Sequence, residues 1–125
     1  MNDAQEGKKR VYIFLDIDGT ISSSVHKIEP EVALYLNEIS SRGFILVFVT
    51  GRSYHWALDS LKFLRSPYLF SWQNGAVVAA IPSGEILYKK YIGKGVILIA
   101  DKIAEEHSED YVIYTGIEND SRCYF

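Results

Sequence analysis

The sequence predicts an α/β fold built on a Rossmann-like parallel sheet, and three observations support this prediction. Two continuous apolar runs, Val11–Leu15 and Phe44–Val49, are typical of strands buried on both faces of a parallel sheet. A segment with helical spacing, Pro30–Arg42, lies between them. A strand–helix–strand unit with a short return forms a right-handed crossover, so its two strands are parallel. The polar residues that follow each run therefore meet at one edge of the sheet, where open α/β sheets bind ligands.

The first polar segment contains two carboxylates directly after the first apolar run. Because strand side chains alternate, Asp16 and Asp18 can point the same way, about 6 to 7 Å apart. Two like charges at that separation require a cation or a shared proton, and carboxylate oxygens suit Mg²⁺. Gly19 allows the chain to turn sharply. The alternative is a polar strand end followed by an ordinary Asp-Gly turn.

The second polar segment follows the second apolar run. Thr50 lies at the carboxyl end of the predicted strand, Gly51 permits close backbone approach, and Ser53 is a good N-cap for a helix predicted over Tyr54–Leu64. A hydroxyl group, free N–H groups and a helix N-terminus together can hold a phosphate. Alone, this segment is more typical of an ordinary strand-to-helix turn. Beside the paired carboxylates it indicates a site.

The rest of the chain predicts one more strand for this sheet and the beginning of a second unit. The predicted elements are a strand over Tyr68–Trp72, a turn over Gln73–Gly75, a hairpin of Ala76–Ile81 with Glu85–Tyr91, a helix over Gly95–His107, and strands over Tyr111–Thr115 and Arg122–Phe125. We therefore divide the chain into a flexible leader (residues 1–9), the N-terminal part of a core (10–80) and an incomplete α/β cap (81–125). An incomplete cap sheet leaves an unpaired edge, which favours self-association through Tyr111–Phe125.

Composition excludes several classes of function. The chain has 125 residues and a formal net charge of −3, and its single basic cluster, Lys8-Lys9-Arg10, is too short for a nucleic-acid interface. We find neither an apolar signal segment nor a run long enough to cross a membrane. Cys123 is the sole cysteine, so an internal disulfide is impossible, and a cytoplasmic location is expected.

Three motifs together resemble the haloacid dehalogenase-like phosphatases. They are Asp16-Ile17-Asp18-Gly19-Thr20, Thr50-Gly51-Arg52-Ser53 and Asn74-Gly75-Ala76. Within that superfamily the motifs are similar to those of the Cof-type members, which carry a large α/β cap after the second motif. The resemblance covers the chain from about Val11 onward.

The resemblance implies an aspartyl-phosphate mechanism with Mg²⁺ as the cofactor. Asp16 would attack the phosphorus and bind the metal through its other carboxylate oxygen. Asp18 would act as general acid and then as general base, and its backbone carbonyl would reach the metal. Thr50 and the Gly51 N–H would bind the phosphoryl oxygens.

The remaining site residues also come from the resemblance. Arg52 is assigned to the phosphate-binding group, and Gly19, Thr20 and Asn74 to the lining of the substrate site. The substrate would be a small phosphorylated metabolite such as a sugar phosphate.

Two parts of the family's machinery are not found in this sequence. The family also uses a lysine after the cap and a late acidic motif, and the chain reaches Phe125 before either. We therefore expect a truncated phosphatase. Three functions remain open: a Mg²⁺-dependent phosphomonoester hydrolase, a catalytically silent phosphate-binding module, and a sugar phosphomutase that uses the same Asp16 chemistry.

Overall fold

The computed structural model describes residues 9–23, 27–116 and 123–124. Its elements in chain order are β1 (Val11–Asp16), α1 (Pro30–Ser41), β2 (Phe44–Val49), α2 (Tyr54–Ser60), β3 (Tyr68–Trp72), β4 (Val77–Ile81), β5 (Glu85–Lys89), α3 (Lys94–His107), β6 (Ile113–Tyr114) and β7 (Cys123–Tyr124). This order confirms the predicted α/β class. Of the predicted leader, residues 1–8 lie outside the described residues.

Strands β1 to β5 form one mixed sheet in sequential order. Strand β2 is parallel to both β1 and β3, while β4 and β5 add antiparallel to β3. In the β1–β2 register Asp16 lies opposite Val49, and in the β2–β3 register Val49 lies opposite Ser71. The three parallel strands therefore end within one residue of one another, as the strand–helix–strand prediction requires.

One face of this sheet packs against α1 and α2 to form the hydrophobic core. The buried residues of this cluster are Ile17, Ile28, Leu36, Leu46, Phe48, Ala57, Leu61, Tyr68, Phe70, Trp72, Val77 and Ala79. On each strand the contributing residues are two positions apart, because side chains alternate between the two faces. Helix α1 begins at Pro30, whose missing N–H suits a first turn, and Gly43 follows it with a φ of +95°.

The prediction that β1 is buried on both faces is wrong. Phe14 is 70% exposed, and Tyr12, two residues earlier on the same face, is 44% exposed. Strand β1 is the edge of the described sheet, and α1 and α2 pack against the opposite face, where Ile13 and Leu15 contact the core. Strand β2 lies between two neighbours and is buried as predicted, with Phe48 fully inaccessible.

Helix α2 ends at Ser60 rather than at the predicted Leu64. The Leu61 N–H donates to the Leu58 carbonyl at 3.0 Å, and the Leu64 N–H donates to the Leu61 carbonyl at 2.9 Å. These three-residue turns replace the four-residue spacing of an α-helix. They accompany the entry of Leu61, 1% exposed, into the core, so tertiary packing ends the helix before its apolar pattern does.

The second half of the chain first adds two strands to the five-stranded sheet and then forms α3 and a separate strand pair. Strands β4 and β5 form the predicted hairpin and belong to the five-stranded sheet, and the proposed core–cap boundary at residue 81 stays a prediction. Helix α3 confirms the predicted helix and has no buried residue. Strands β6 and β7 pair antiparallel.

Part of the segment proposed for self-association, residues 117–122 and 125, lies outside the described residues, and self-association stays a prediction. In the part of the chain that the structure describes, we find no helix with the length and apolar character needed to span a bilayer.

Two phenylalanines on neighbouring strands test which face of the sheet forms the core. Phe48→Ala removes a fully buried ring and should lower the free energy of unfolding by about 3–5 kcal/mol. Phe14→Ala, the matched control, removes an exposed ring and should change it by less than about 1 kcal/mol. Urea denaturation of both variants checks this, and equal losses would contradict the assignment of faces.

The phenol of Tyr68 gives the core a measurable pH dependence. Burial, with a smaller contribution from Tyr54, raises the pKa of Tyr68 from 10.0 to about 12. The unfolded chain therefore loses this proton at a lower pH than the folded chain, and stability falls as the pH rises from 10 towards 12. Tyr68→Phe should remove the part of this fall in stability that comes from the Tyr68 phenol. Urea denaturation across the alkaline range checks it, and identical pH profiles for the two chains would contradict it.

Candidate active site

The first half of the site is the turn that follows β1. The strand ends at Asp16, so the predicted strand alternation does not continue as far as Asp18. Instead, the Gly19 N–H donates to the Ser22 carbonyl at 3.1 Å, and the Ser22 N–H donates to the Ile17 carbonyl at 3.1 Å. Gly19 has a φ of +76°, a conformation that side chains disfavour. Ile17 is completely buried and anchors the turn, while both aspartates stay exposed.

The two aspartates have different partners. The Thr20 hydroxyl lies 3.4 Å from Asp16 Oδ2, a long contact that leaves the carboxylate exposed to solvent. Asp18 Oδ1 accepts from Arg52 Nη2 in an ion pair. Its side chain is 49% exposed, whereas that of Arg52 is 15% exposed. A cation from the second motif thus offsets the charge of one of the two aspartates.

The second half of the site is the loop between β2 and α2. Thr50 is buried, and its N–H donates to the Ser71 carbonyl of β3 at 3.0 Å. Its hydroxyl oxygen accepts from the Arg52 N–H at 3.1 Å. Ser53 occupies the predicted N-cap position of α2, but its side chain makes no capping hydrogen bond in the part of the chain that the structure describes. These contacts hold the loop directly at the end of the central parallel strand.

The turn between β3 and β4 closes the site from the other side. The Asn74 N–H donates to the Thr50 carbonyl at 3.1 Å, and the Gln73 N–H donates to the Arg52 carbonyl at 3.0 Å. Gln73 and Asn74 both have positive φ values, 50° and 55°. The fit is close at Gly51, because a Cβ atom there would lie 2.9 Å from Asn74 Oδ1. All three motifs are therefore brought together.

The side chain of Arg52 crosses the site to a residue that the sequence did not reveal. Its Nη1 donates to Ser60 Oγ at 3.1 Å, and Ser60 is completely buried. Nothing in the sequence marked Ser60, because it lies eight residues along the chain from Arg52 inside a helix predicted to continue past it. Sequence periodicity contains no signal for a hydrogen bond between a loop side chain and a helix side chain.

The donor set of this site fits a hard cation only in part. In residues 9–23 and 27–116 we find no cluster of three or more histidine, cysteine, aspartate or glutamate side chains suited to holding a metal ion. Mg²⁺, however, commonly uses one or two carboxylates and completes its shell with water and substrate phosphate. The exposed Asp16 carboxylate meets that requirement, while the Asp18 carboxylate already pairs with Arg52.

The family model of the haloacid dehalogenase-like hydrolases matches residues 13–124, a span that includes all three motifs. The chain belongs to this family. Membership confirms the identification made from the aspartate pair and the Thr-Gly-Arg motif, and it agrees with the parallel sheet that carries them.

Three relatives of this haloacid dehalogenase-like chain show how much of a family member it spans. A candidate phosphatase of Mycoplasma pneumoniae is 24% identical over 103 residues, which are 82% of this chain and 36% of that protein. A haloacid dehalogenase-like hydrolase from B. subtilis has a TM-score of 0.73 at 26% identity, over 84% of this chain and 36% of that one. A sugar phosphatase of HAD subclass IIB has a TM-score of 0.58 at 22% identity, over 86% of this chain and 41% of that one. The chain thus spans well under half of each relative.

The close approach of Gly51 to Asn74 can be tested with two glycine substitutions. Gly51→Ala should turn the Asn74 side chain away, because the new Cβ would lie 2.9 Å from its Oδ1. The free energy of unfolding should change little, since the atom displaced is the end of a flexible side chain. Gly93→Ala is the matched control, because a Cβ there meets nothing within 4 Å. NMR of the Asn74 side-chain amide checks this, and an unshifted signal in Gly51→Ala would refute the contact.

Proposed function

We propose that the protein acts as a Mg²⁺-dependent phosphomonoester hydrolase through an aspartyl-phosphate intermediate. The observation that carries this proposal is the level ending of β1 and β2, with Asp16 opposite Val49. This register places the aspartate turn beside the Thr50–Arg52 loop, and the Arg52–Asp18 ion pair joins them. This proximity supports the proposed roles of Asp16 as nucleophile, Asp18 as proton carrier and the Thr50–Arg52 loop as the group of donors for an anion.

The proposed reaction consists of two displacements at phosphorus. A carboxylate oxygen of Asp16 attacks, the bond to the substrate oxygen breaks, and Asp18 donates a proton to the leaving alcohol. Asp18 then takes a proton from a water molecule, which attacks the phosphorus of the aspartyl phosphate. The bond to Asp16 breaks, orthophosphate leaves, and both carboxyl groups return to their starting states.

The other residues of the site would bind the phosphoryl group rather than react. The Thr50 hydroxyl and the Gly51 N–H would donate to its oxygens, and Arg52 would add a positive charge with a planar set of donors. Asp16 and the backbone carbonyl of Asp18 would hold Mg²⁺. When bound, Mg²⁺ supplies the charge screening that an anionic nucleophile needs to approach an anionic phosphate.

The proposed substrate is a small phosphorylated metabolite such as a sugar phosphate. The aspartates and Gly51 are exposed, so the phosphoryl group can reach the site without displacing the core. Gly19, Thr20 and Asn74 are also exposed and would contact the rest of the substrate. One structural neighbour is named a sugar phosphatase, which is consistent with this choice.

A catalytically silent phosphate-binding module is the second candidate function. The Arg52–Asp18 ion pair favours it, because a carboxylate held by a guanidinium is a less available proton carrier. Among the described residues, the site also has no cluster of three or more side chains suited to holding a metal ion, which favours binding without turnover. Both candidates bind phosphate at the same residues, and they differ in turnover.

Hydrolysis of a generic aryl phosphate in the presence of Mg²⁺ separates the two candidates. Wild-type protein should release orthophosphate in a chelator-sensitive reaction, and Asp16→Asn should abolish it because an amide is not a nucleophile. Asp18→Asn should slow the reaction by roughly two to four orders of magnitude, the usual contribution of general acid–base catalysis. Equal rates in wild type and Asp16→Asn would contradict the hydrolase. Binding of orthophosphate without turnover would support the silent module.

A further inference from the structure

The guanidinium group of Arg52 is held at two of its nitrogens. Nη1 donates to Ser60 Oγ at 3.1 Å, and Nη2 pairs with Asp18 Oδ1. The side chain is only 15% exposed, although it belongs to a loop at the edge of the sheet. An arginine side chain has many rotamers and a planar set of donors. The two contacts select one orientation of that plane.

The Ser60 hydroxyl is oriented to accept a hydrogen bond from Arg52. Its oxygen lies 3.4 Å from the Trp56 carbonyl, to which it donates, so a lone pair is available for Nη1. The Ser60 carbonyl accepts from the Ile28 N–H at 3.4 Å. Ser60 is also completely buried. The residue is thus fixed by α2, by the segment before α1 and by the core at once.

We propose that Ser60 is a positioning residue that prepares Arg52 for phosphate binding. The proposal rests on the hydrolase or phosphate-binding function put forward above. A mobile arginine would lose rotamer freedom when it bound an anion, and this loss would weaken the affinity. Because Ser60 holds Nη1, that freedom is already lost in the folded protein. The other terminal nitrogen, Nη2, then contacts Asp18 Oδ1, beside the position that the phosphoryl group would take.

The test compares serine substitutions at the ends of two helices. Ser60→Ala removes the acceptor for Arg52. Ser41→Ala is the matched control, because Ser41 is also the last residue of its helix, and its hydroxyl donates to the Glu38 carbonyl of the preceding turn at 2.7 Å. Ser60→Cys keeps nearly the same volume with only weak hydrogen bonding. If Ser60→Ala destabilises the fold by leaving a cavity, Ser60→Cys still tests the loss of the hydrogen bond.

Two readouts separate positioning from phosphate binding. The first is NMR of the Arg52 guanidinium, whose signals should show freer rotation in Ser60→Ala and Ser60→Cys but not in Ser41→Ala. The second is titration with orthophosphate, which should bind roughly five- to tenfold more weakly to both Ser60 variants, the usual cost of immobilising one rotamer-rich side chain.

A double-mutant cycle shows whether Ser60 acts through Arg52. In an Arg52→Lys background, Ser60→Ala should cause no further loss of orthophosphate affinity, because lysine has no guanidinium plane for Ser60 to orient. An additive loss would overturn the proposal, as would unchanged Arg52 signals in both Ser60 variants. If wild-type protein binds no orthophosphate while Ser60→Ala frees the guanidinium, the proposed function fails and the positioning of Arg52 stands.

Discussion

The parallel pairing of β1 with β2 is the constraint on which the rest of the site depends. The register sets Asp16 opposite Val49, so both chains leave the sheet at the same level. A shift of one residue would turn every side chain of β1 to the other face and would remove Ile13 and Leu15 from the core. The burial of these apolar side chains therefore fixes the position of the carboxylate that follows them.

The charges at this sheet edge are arranged by neighbours from three parts of the chain. The aspartate turn brings two negative groups, the loop after β2 brings Arg52, and α2 brings the neutral acceptor Ser60. A buried cation needs compensation for lost hydration, and Arg52 obtains it from one charged and one uncharged oxygen. Asp16, whose contact with Thr20 is long, is exposed to solvent.

Local sequence patterns predicted the fold and the residues of the site more fully than the contacts between those residues. The apolar runs and the helical spacing of Pro30–Arg42 identified the strand–helix–strand unit, because the type of an element is encoded in its local apolar period. The exposure of Phe14 could not be predicted, since the position of a strand within a sheet depends on partners distant in sequence. The end of α2 at Ser60 was missed for a similar reason: Leu61 still fits the helical period, and packing ends the helix.

Backbone hydrogen bonds join the loop after β2 to the turn after β3. Three hydrogen bonds, from the N–H groups of Thr50, Gln73 and Asn74 to the carbonyls of Ser71, Arg52 and Thr50, connect the β2–α2 loop to β3 and the turn after it. Bonds of this kind survive when the side chains on either loop are exchanged. Over evolutionary time, the residues that face a substrate can therefore diverge while the frame that presents them is inherited unchanged.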